Sequence, residues 1–360
     1  MLDNIIYKRK AAENKALSRE SADTRLKVKH TKDWRIAFLF CTPAVLLLFI
    51  FKVFPLFFGF YISLFDWNIQ PDAFIGFNNY AELFTVDLFK LDPIIGLKIG
   101  QFGQSLLVTL WYLLLSVPLA ILLSFIIAHI LFDIRASKLR DVLRIAFFLP
   151  YITSSISAIF IFRWMANTQY GIFNALLSMV GIARQEWMTD SIPVLEKLIN
   201  AFGGTVPNSV PDELLGPTYA LCIIIAYAIW NAIGFNVVVY LSGFSNIPME
   251  IYESADIDGA SKLQKIRHIS VPLISPTTFL LSIVSVIGAF ESFNAFYVFT
   301  GGEGGPGGST TSFAMYIFKN FYQYSRAGYA SALSVIMFII VLGLTLIQKK
   351  FGDKYVFYNQ

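Results

Sequence analysis

The sequence is poor in charged residues, cysteine and histidine. Only 14% of its 360 residues are charged, whereas a soluble domain usually carries about a quarter. Two cysteines and three scattered histidines provide neither a disulfide framework nor a metal centre. Apolar residues are abundant instead: 56% of the chain is hydrophobic and its mean hydropathy is +0.61. This composition excludes an ordinary water-soluble protein and predicts that much of the surface faces lipid.

Hydrophobic runs of about 20 residues are long enough to cross a bilayer, and this sequence contains six of them. We therefore predict an all-α, polytopic membrane protein whose six transmembrane helices lie in one domain, residues 34–350. Lys52 and Pro55 lie inside the first run and predict a kink there. The predicted spans are 36–64, 106–131, 142–164, 218–241, 277–300 and 330–348.

Lysine and arginine are distributed unevenly between alternate loops, and this asymmetry sets the predicted orientation. Twenty of the 28 cations lie in the two terminal tails and in loops 132–144 and 242–276, whereas the other three loops carry six. Positive charge accumulates on the cytoplasmic side. We therefore place both termini in the cytoplasm, with a basic tail over 1–33 and a C-terminal segment over 351–360. The run KRK at 8–10 either touches anionic lipid headgroups or only helps to set the topology.

Loop 242–276 is far more charged than the apolar blocks that it joins. Residues 249–258 have the spacing of a short amphipathic helix, with carboxylates on one side and Ile251, Tyr252 and Ala255 on the other. The early carboxylates suit the positive end of a helix dipole. We therefore predict a helix here that presents an acidic face.

A second short helix is predicted to follow a sharp turn. Gly259 ends the first helix, because glycine tolerates the left-handed conformation that such an exit needs. Ser261 is placed to cap a second helix over 262–270, which is expected to turn Leu263 inward.

Pro272 and Pro276 are expected to stop this second helix and redirect the chain into the fifth span. The whole loop takes roughly 35 residues, where an ordinary helix connection takes about 2 to 8. A long ordered loop that no transmembrane packing demands predicts a docking element. The alternative is a corner that merely joins two spans.

The same segment resembles the EAA motif of permease subunits of bacterial ABC importers, E-A-A-x3-G-x9-I-x-L-P. The stretches "FIGFNNYAELF" at 75–85 and "FNAFYVFTGGEGGPGGST" at 293–310 resemble the carbohydrate-uptake subfamily, especially its maltose- and glycerol-phosphate-type first permease subunits. The resemblance covers roughly 34–350. In this sequence the motif reads Glu253-Ser254-Ala255, then Gly259, then Ile269-Ser270-Val271-Pro272.

The resemblance implies the ABC importer permease fold, in which this motif forms a cytoplasmic coupling helix seated in a cleft of an ATPase subunit. It also implies a second homologous permease subunit, two cytoplasmic ATPase subunits, an extracytoplasmic solute-binding protein and a place in the bacterial plasma (inner) membrane. Glu253 would be the charged contact, and Tyr252 and Ile251 would fill a groove on the partner. The coupling residues expected on this basis are Glu250, Ile251, Tyr252, Glu253, Ser254, Ala255, Asp258 and Gly259.

The sequence contains no catalytic constellation, so an enzyme is not expected. Gly302, Gly307 and Ser309 mimic a phosphate-binding loop, but Gly308 stands where that loop needs lysine. No cofactor is expected in this chain, because ATP and Mg²⁺ would be bound by the partner ATPase subunits, and no nucleic acid partner is expected. The predicted function is import of an oligosaccharide, a related carbohydrate or a polyol by alternating access.

The fifth span is the predicted substrate path, since an ionisable residue at such depth needs protein or water around it. Glu291, Asn294 and Tyr297 recur every three residues and would share one helix face, with Asn231 and Asn236 of the fourth span as further cavity candidates. The alternative is hydrogen bonding between helices or to a partner subunit.

The sequence also permits functions besides sugar import by an ABC transporter. Glu291 is the expected proton carrier if the chain is an ion-coupled secondary transporter, and the solute of an ABC importer need not be a sugar. The glycine-rich loop 301–308 either approaches a docked protein or sugar or is a flexible turn without contacts. Residues 192–202 predict a short surface helix lying on the membrane face.

Overall fold

The computed structural model describes residues 34–68, 70–92, 96–134, 136–207 and 210–357. The predictions for the tail 1–33, with its basic run at 8–10, lie outside the described residues. The chain divides into two compact units between Tyr61 and Ile62.

The first unit is built on helix α1 (Trp34–Ser63), which crosses into the second unit at its last residues. The turn Phe49–Val53 has π-helical spacing and closes with a bond from the Phe54 N–H to the Phe49 carbonyl. Pro55 follows directly and has no N–H to give to the preceding turn. The expected irregularity near Lys52 and Pro55 is therefore a π-helical turn.

The second unit is helical apart from two short antiparallel hairpins among the described residues. One hairpin pairs β1 (Phe65–Trp67) with β2 (Pro71–Phe74), and the other pairs β3 (Phe89–Asp92) with β4 (Gly96–Ile99). The helices, in chain order, are α2 (Asn78–Glu82), α3 (Gln101–Asp133), α4 (Ser137–Ile152), α5 (Ser155–Met165), α6 (Ile172–Met179), α7 (Val194–Ala201), α8 (Tyr219–Ser245), α9 (Met249–Ile257), α10 (Lys262–Lys265), α11 (Val271–Glu291), α12 (Asn294–Thr300), α13 (Phe313–Phe318) and α14 (Ala327–Tyr355).

Five helices in the described part of the chain are long and apolar enough to cross a membrane, and a bent pair brings the number to six. The five are α1, α3, α8, the continuous helix Lys262–Glu291 formed by α10 and α11, and α14. The pair is α4 and α5, whose axes meet at 92°. The helical fold class is thus confirmed, but span 142–164 is broken rather than straight.

The break in this span has a local cause. Pro150 cannot donate to the carbonyl one turn earlier, and Thr153 and Ser154 adopt extended rather than helical ψ angles of 144° and 119°. The carbonyl of Pro150 accepts a hydrogen bond from Nδ2 of Asn231 on α8, at 3.2 Å. A side chain from a neighbouring helix therefore pairs backbone that the break exposes.

Small residues allow α3 and α8 to pack closely and form the centre of the bundle. Helix packing within a membrane favours small side chains at the contact, because they let the backbones approach. Tyr240 and Phe244 of α8 are fully buried and fill the space at the cytoplasmic end predicted for these helices. Ala128 of α3 lies in the same cluster as these two rings, whereas Gly103 and Thr109 face Leu88 and Phe313 instead. The other buried small residues of α3 are Ser105, Ser116, Ala120 and Ser124.

The fifth span starts and ends earlier than the predicted 277–300. Pro272 and Pro276 do not stop the helix, because a π-helical turn at Ile266–Ser270 takes up the missing bond before the first proline. The helix ends instead at Glu291, since Ser292 has an extended ψ of 101°. Consequently, Asn294 and Tyr297 lie on the separate helix α12.

Candidate functional site

The α9 helix and its exit are built as the sequence predicted. Helix α9 ends at Ile257, and the Gly259 N–H donates to the Asp256 carbonyl at 3.1 Å. The Ala260 N–H donates to the Ala255 carbonyl at 2.9 Å. Gly259 has φ +74°, and no atom lies within 4 Å of where a Cβ would stand. Glycine is therefore favoured at this position by backbone conformation and not by crowding.

Helix α10 starts at a capping box. The Gln264 N–H donates to Ser261 Oγ at 3.4 Å, and the Ser261 N–H donates to Gln264 Oε1 at 2.7 Å. Lys265 Nζ then lies 2.6 Å from Asp256 Oδ1 and joins α10 to α9. Because Asp256 is mostly exposed, this pair adds about 1 kcal/mol at most, and the turn geometry does most of the positioning.

Tyr252 faces the interior of this chain rather than a partner. It is 8% exposed, its hydroxyl lies 3.0 Å from Ser270 Oγ, and its ring centroid lies 5.9 Å from that of Phe132 on α3. Burial raises the pKa of Tyr252, an effect that the Ser270 hydrogen bond partly opposes. The expectation that Tyr252 fills a partner groove is therefore wrong, because the ring anchors α9 to the bundle. Leu263, expected to face inward, is 73% exposed.

The outward face of α9 is a mixed acidic and apolar surface, hereafter the α9 knob: Met249, Glu250, Glu253 and Ile257. At 100° per residue, these four side chains fall within an arc of about 100°, and all four are exposed, Ile257 to 87%. Sequence reasoning missed Met249 and Ile257, because apolar residues on a short amphipathic helix are normally expected to face the protein interior. Of the remaining expected coupling residues, Ile251, Ser254, Asp258 and Gly259 are exposed and Ala255 is half-buried.

A cavity of about 440 Å³ opens inside the helical bundle of the second unit. Four of the predicted cavity residues line it: Asn231 and Asn236 from α8, Glu291 at the end of α11, and Asn294 at the start of α12. The ends of two helices and the break between α4 and α5 all reach this space. Broken helices leave backbone polar groups beside such cavities, and substrate sites in transporters occur there.

Asn236 is the least satisfied polar side chain of the cavity wall. It is 3% exposed, and its Nδ2 has no hydrogen-bond partner among the described residues. A buried amide donor that lacks a partner is costly unless something binds it. Asn231, in contrast, donates to the Pro150 carbonyl, so it combines a structural bond with a cavity position.

Tyr297 is not part of the cavity, so that prediction is wrong. The helix ends at Glu291, so the three-residue spacing no longer places Glu291 and Tyr297 on one helix face. The Tyr297 ring stacks on Phe293 at 5.0 Å and meets Phe318 at 5.4 Å. It also lies against Gly302, where an added Cβ would meet the ring at 3.0 Å.

Aromatic and hydroxyl side chains complete the cavity wall, and sequence reasoning missed most of them. The signal was available on α11, where Ser285 and Gly288 precede Glu291 at steps of three residues. Within the described wall, Glu291 is the one acidic or basic side chain. The missed polar and aromatic residues are Tyr112, Ser116, Tyr151, Ser155, Tyr227, Phe235, Ser285, Ser292 and Phe293.

The glycine-rich loop and Arg163 also have defined surroundings. The glycine-rich loop is folded against the bundle: Gln104 Nε2 donates to the Gly307 carbonyl at 2.7 Å, and Lys319 Nζ donates to the Glu303 carbonyl at 2.8 Å. Arg163, at the end of α5, lies 3.5 Å from the carbonyl of Val298. The described chain holds no cluster of three or more candidate metal-binding side chains.

A bundle of membrane-length helices around an open polar cavity defines a membrane transport protein. Residues 94–355 match the family described as "Binding-protein-dependent transport system inner membrane component". The chain belongs to this family and is therefore the permease subunit of an ATP-driven, binding-protein-dependent importer, a transport component rather than an enzyme.

Similar proteins support this assignment over nearly the whole chain. The chain is 31% identical to a probable ABC transporter permease protein, YurN, of Bacillus subtilis, covering 88% of this chain and 95% of that protein. It is 30% identical to the trehalose/maltose transport system permease protein MalF of Thermococcus litoralis, covering 91% and 96%. A crystal structure of a bacterial ABC transporter that imports the acidic polysaccharide alginate has the same fold, with a TM-score of 0.68, 22% identity and coverage of 92% and 99%.

Proposed function

We propose that this permease imports a neutral oligosaccharide or related carbohydrate or polyol. The observation that carries the proposal is the cavity wall, in which asparagine amides, hydroxyls and aromatic rings surround a single carboxylate. Sugar hydroxyls bind amides and carboxylates by hydrogen bonds, and their apolar faces stack on aromatic rings. The relative named as a trehalose/maltose permease supports the same class of solute.

The proposed ATPase partners are inferred from the side chains of the α9 knob. The α9 knob projects two carboxylates and two apolar side chains, which suits a cleft with basic residues on a cytoplasmic ATPase subunit. The transporter contains two such ATPase subunits. One docks on this chain and the other docks on a second, homologous permease subunit. An extracytoplasmic binding protein delivers the solute. ATP and Mg²⁺ are bound by the ATPase subunits. The chain lies in the bacterial plasma membrane, with both of its termini in the cytoplasm.

The transport cycle follows from these contacts. ATP binding closes the ATPase pair and draws the two coupling helices together. The motion enters this chain through α9 and reaches α3 through the contact between Tyr252 and Phe132, 5.9 Å between ring centroids. The cavity then exchanges its inward opening for an outward one.

Replacing Asn236 tests the cavity. Asn236→Leu removes an amide without a partner in the described chain, so stability is unchanged or higher, whereas apparent affinity for the solute falls roughly tenfold. Asn231→Leu is the comparison for stability: it leaves the Pro150 carbonyl unpaired and lowers stability by about 1–3 kcal/mol. Both are measured as thermal stability of the purified transporter and as ATP-driven uptake into vesicles.

The uptake assay uses a panel of neutral di- and oligosaccharides that begins with trehalose and maltose. Unchanged affinity in Asn236→Leu would show that the amide does not bind solute. If no carbohydrate in the panel were imported, the solute class would be wrong. Uptake driven by a proton gradient without ATP would instead indicate a secondary transporter.

A further inference from the structure

The loop between α5 and α8 presents an apolar face that the transport cycle does not use. Four side chains of α6 and its end, hereafter the α6 strip, are exposed: Ile172 to 44%, Leu176 to 54%, Met179 to 79% and Val180 to 71%. At 100° per residue, they fall within an arc of about 100° on one side of the helix. Nothing charged lies on the α6 strip.

The opposite side of α6 is held against its own chain by the hydrogen bonds of Asn174. Asn174 is 3% exposed, and its Nδ2 donates to the carbonyls of Thr168 and Gln185 at 3.0 and 2.9 Å. Its Oδ1 accepts from the Gln185 N–H at 3.0 Å and from Trp187 Nε1 at 2.9 Å. With all four bonds made, the helix cannot roll to bury the α6 strip against its own chain.

The α6 strip continues a surface that belongs to a membrane span. Helix α5 exposes Ile156, Phe160 and Trp164 at every fourth position. The Trp164 ring lies 6.2 Å from the exposed ring of Tyr170, which precedes the α6 strip by two residues. Tryptophan and tyrosine are enriched where a membrane meets water, so this aromatic pair marks the end of the span.

We propose that α6 is an interfacial helix whose α6 strip lies among the lipid headgroups and upper acyl chains, fixing the end of α5 at the membrane surface. Interfacial helices bury an apolar face roughly 5–10 Å deep in this region. A stable protein interface needs roughly 20–30 residues on each side, far more than the strip offers. Arg184 is exposed a few residues beyond and can pair with lipid phosphate.

The experiment compares positions on two sides of the same helix. Cys41 and Cys222 are replaced by serine, and single spin labels are placed at Leu176→Cys, at Met179→Cys and, as the control, at Ser178→Cys. Ser178 lies roughly 150° from the centre of the α6 strip. The transporter is purified with its partner subunits into nanodiscs of phosphatidylethanolamine and phosphatidylglycerol.

Collisions of the labels with oxygen and with a water-soluble nickel complex report the surroundings. We expect labels 176 and 179 to collide with oxygen and to lose collisions with nickel, and label 178 to show the reverse. Nickel collisions at 176 and 179 equal to those at 178 would place the α6 strip in water and overturn the proposal. Loss of collisions with both reagents there would mean that a protein subunit covers the strip, which overturns it equally.

Discussion

At the scale of single residues, Gly259 and Tyr252 have opposite relations to their surroundings. Gly259 is surrounded by open space, and what it contributes is a φ of +74° that lets the chain reverse between α9 and α10. Tyr252 contributes packing, because its ring and hydroxyl are buried against Phe132 and Ser270. Its raised pKa means that the neutral hydroxyl is favoured in the folded state. This stabilisation is present below about pH 10, the ordinary tyrosine pKa, and is lost only as the pH rises further.

Substitutions of Gly259 test whether coupling depends on the backbone conformation of this turn, since the residue makes no side-chain contact. Gly259→Pro cannot adopt a positive φ and also loses the N–H bond to the Asp256 carbonyl, so it destabilises the turn by more than about 1 kcal/mol. We expect loss of ATP-driven uptake with normal membrane insertion. Gly259→Asn is the control, since asparagine tolerates the left-handed region and should keep most of the uptake. Normal transport by the proline variant would show that the shape of this turn does not matter.

At the scale of elements, the prolines of the fifth span show how a helix tolerates residues that normally end it. The π-helical turn at Ile266–Ser270 precedes Pro272, just as the turn at Phe49–Val53 precedes Pro55 in α1. Pro276 leaves the carbonyl of Pro272 without its usual N–H donor. The Ser275 hydroxyl donates to that carbonyl at 2.6 Å instead.

Two serines of α11 make a matched test of this compensation. Ser275→Ala removes the hydroxyl donor to a carbonyl that lacks its helical N–H donor, and should lower stability by about 1 kcal/mol. It also removes the acceptor of the Phe357 N–H at 2.9 Å, so a second comparison in a chain shortened before Phe357 isolates the bond to the Pro272 carbonyl. Ser282→Ala removes a bond of the same geometry, 2.8 Å to the Phe279 carbonyl, within an unbroken helical turn. Its effect should be much smaller. Thermal denaturation of the purified transporter measures both, and equal losses would mean that Ser275 does not compensate for Pro276.

At the scale of the whole molecule, the proposed function requires that the α9 knob and the cavity lie on the same compact unit. Both belong to residues 62–360, and α3 connects them, since Phe132 touches Tyr252 while Tyr112 and Ser116 line the cavity. If the knob is the proposed docking surface, force applied there has a packed path to the cavity. The direction of that force depends on which side of the membrane the knob faces.

Labelling determines this orientation and the docking role together. In a chain without Cys41 and Cys222, a Glu253→Cys variant should react with a membrane-impermeant maleimide only in inside-out vesicles. Thr189→Cys, in the loop between α5 and α8, should react only in right-side-out vesicles. Glu253→Lys should also reduce copurification of the ATPase subunits, because it reverses an exposed charge of the knob, whereas Glu303→Lys should not. Labelling of residue 253 from outside the cell would refute the orientation and the coupling role.

Much of the fold and of the coupling loop could be predicted because the controlling physics is local. Hydrophobic length gives helices that cross a membrane, and positive φ at Gly259 follows from residue type. The cavity was predicted only in part. Asn231, Asn236, Glu291 and Asn294 do meet there, but Tyr297 does not, because the helix ends at Glu291 and no proline or glycine directly after it signals that end in the sequence.

By itself, the sequence determined the class of protein, the number of apolar runs and the turn between α9 and α10, since burial in lipid and backbone sterics act over a few residues. Tertiary structure alone decided that Tyr252 points inward, that the third span bends by 92° and that α3 contributes Tyr112 and Ser116 to the cavity wall. These outcomes depend on side chains from distant segments, such as Asn231 at the Pro150 carbonyl. Such pairings arise only when the helices pack.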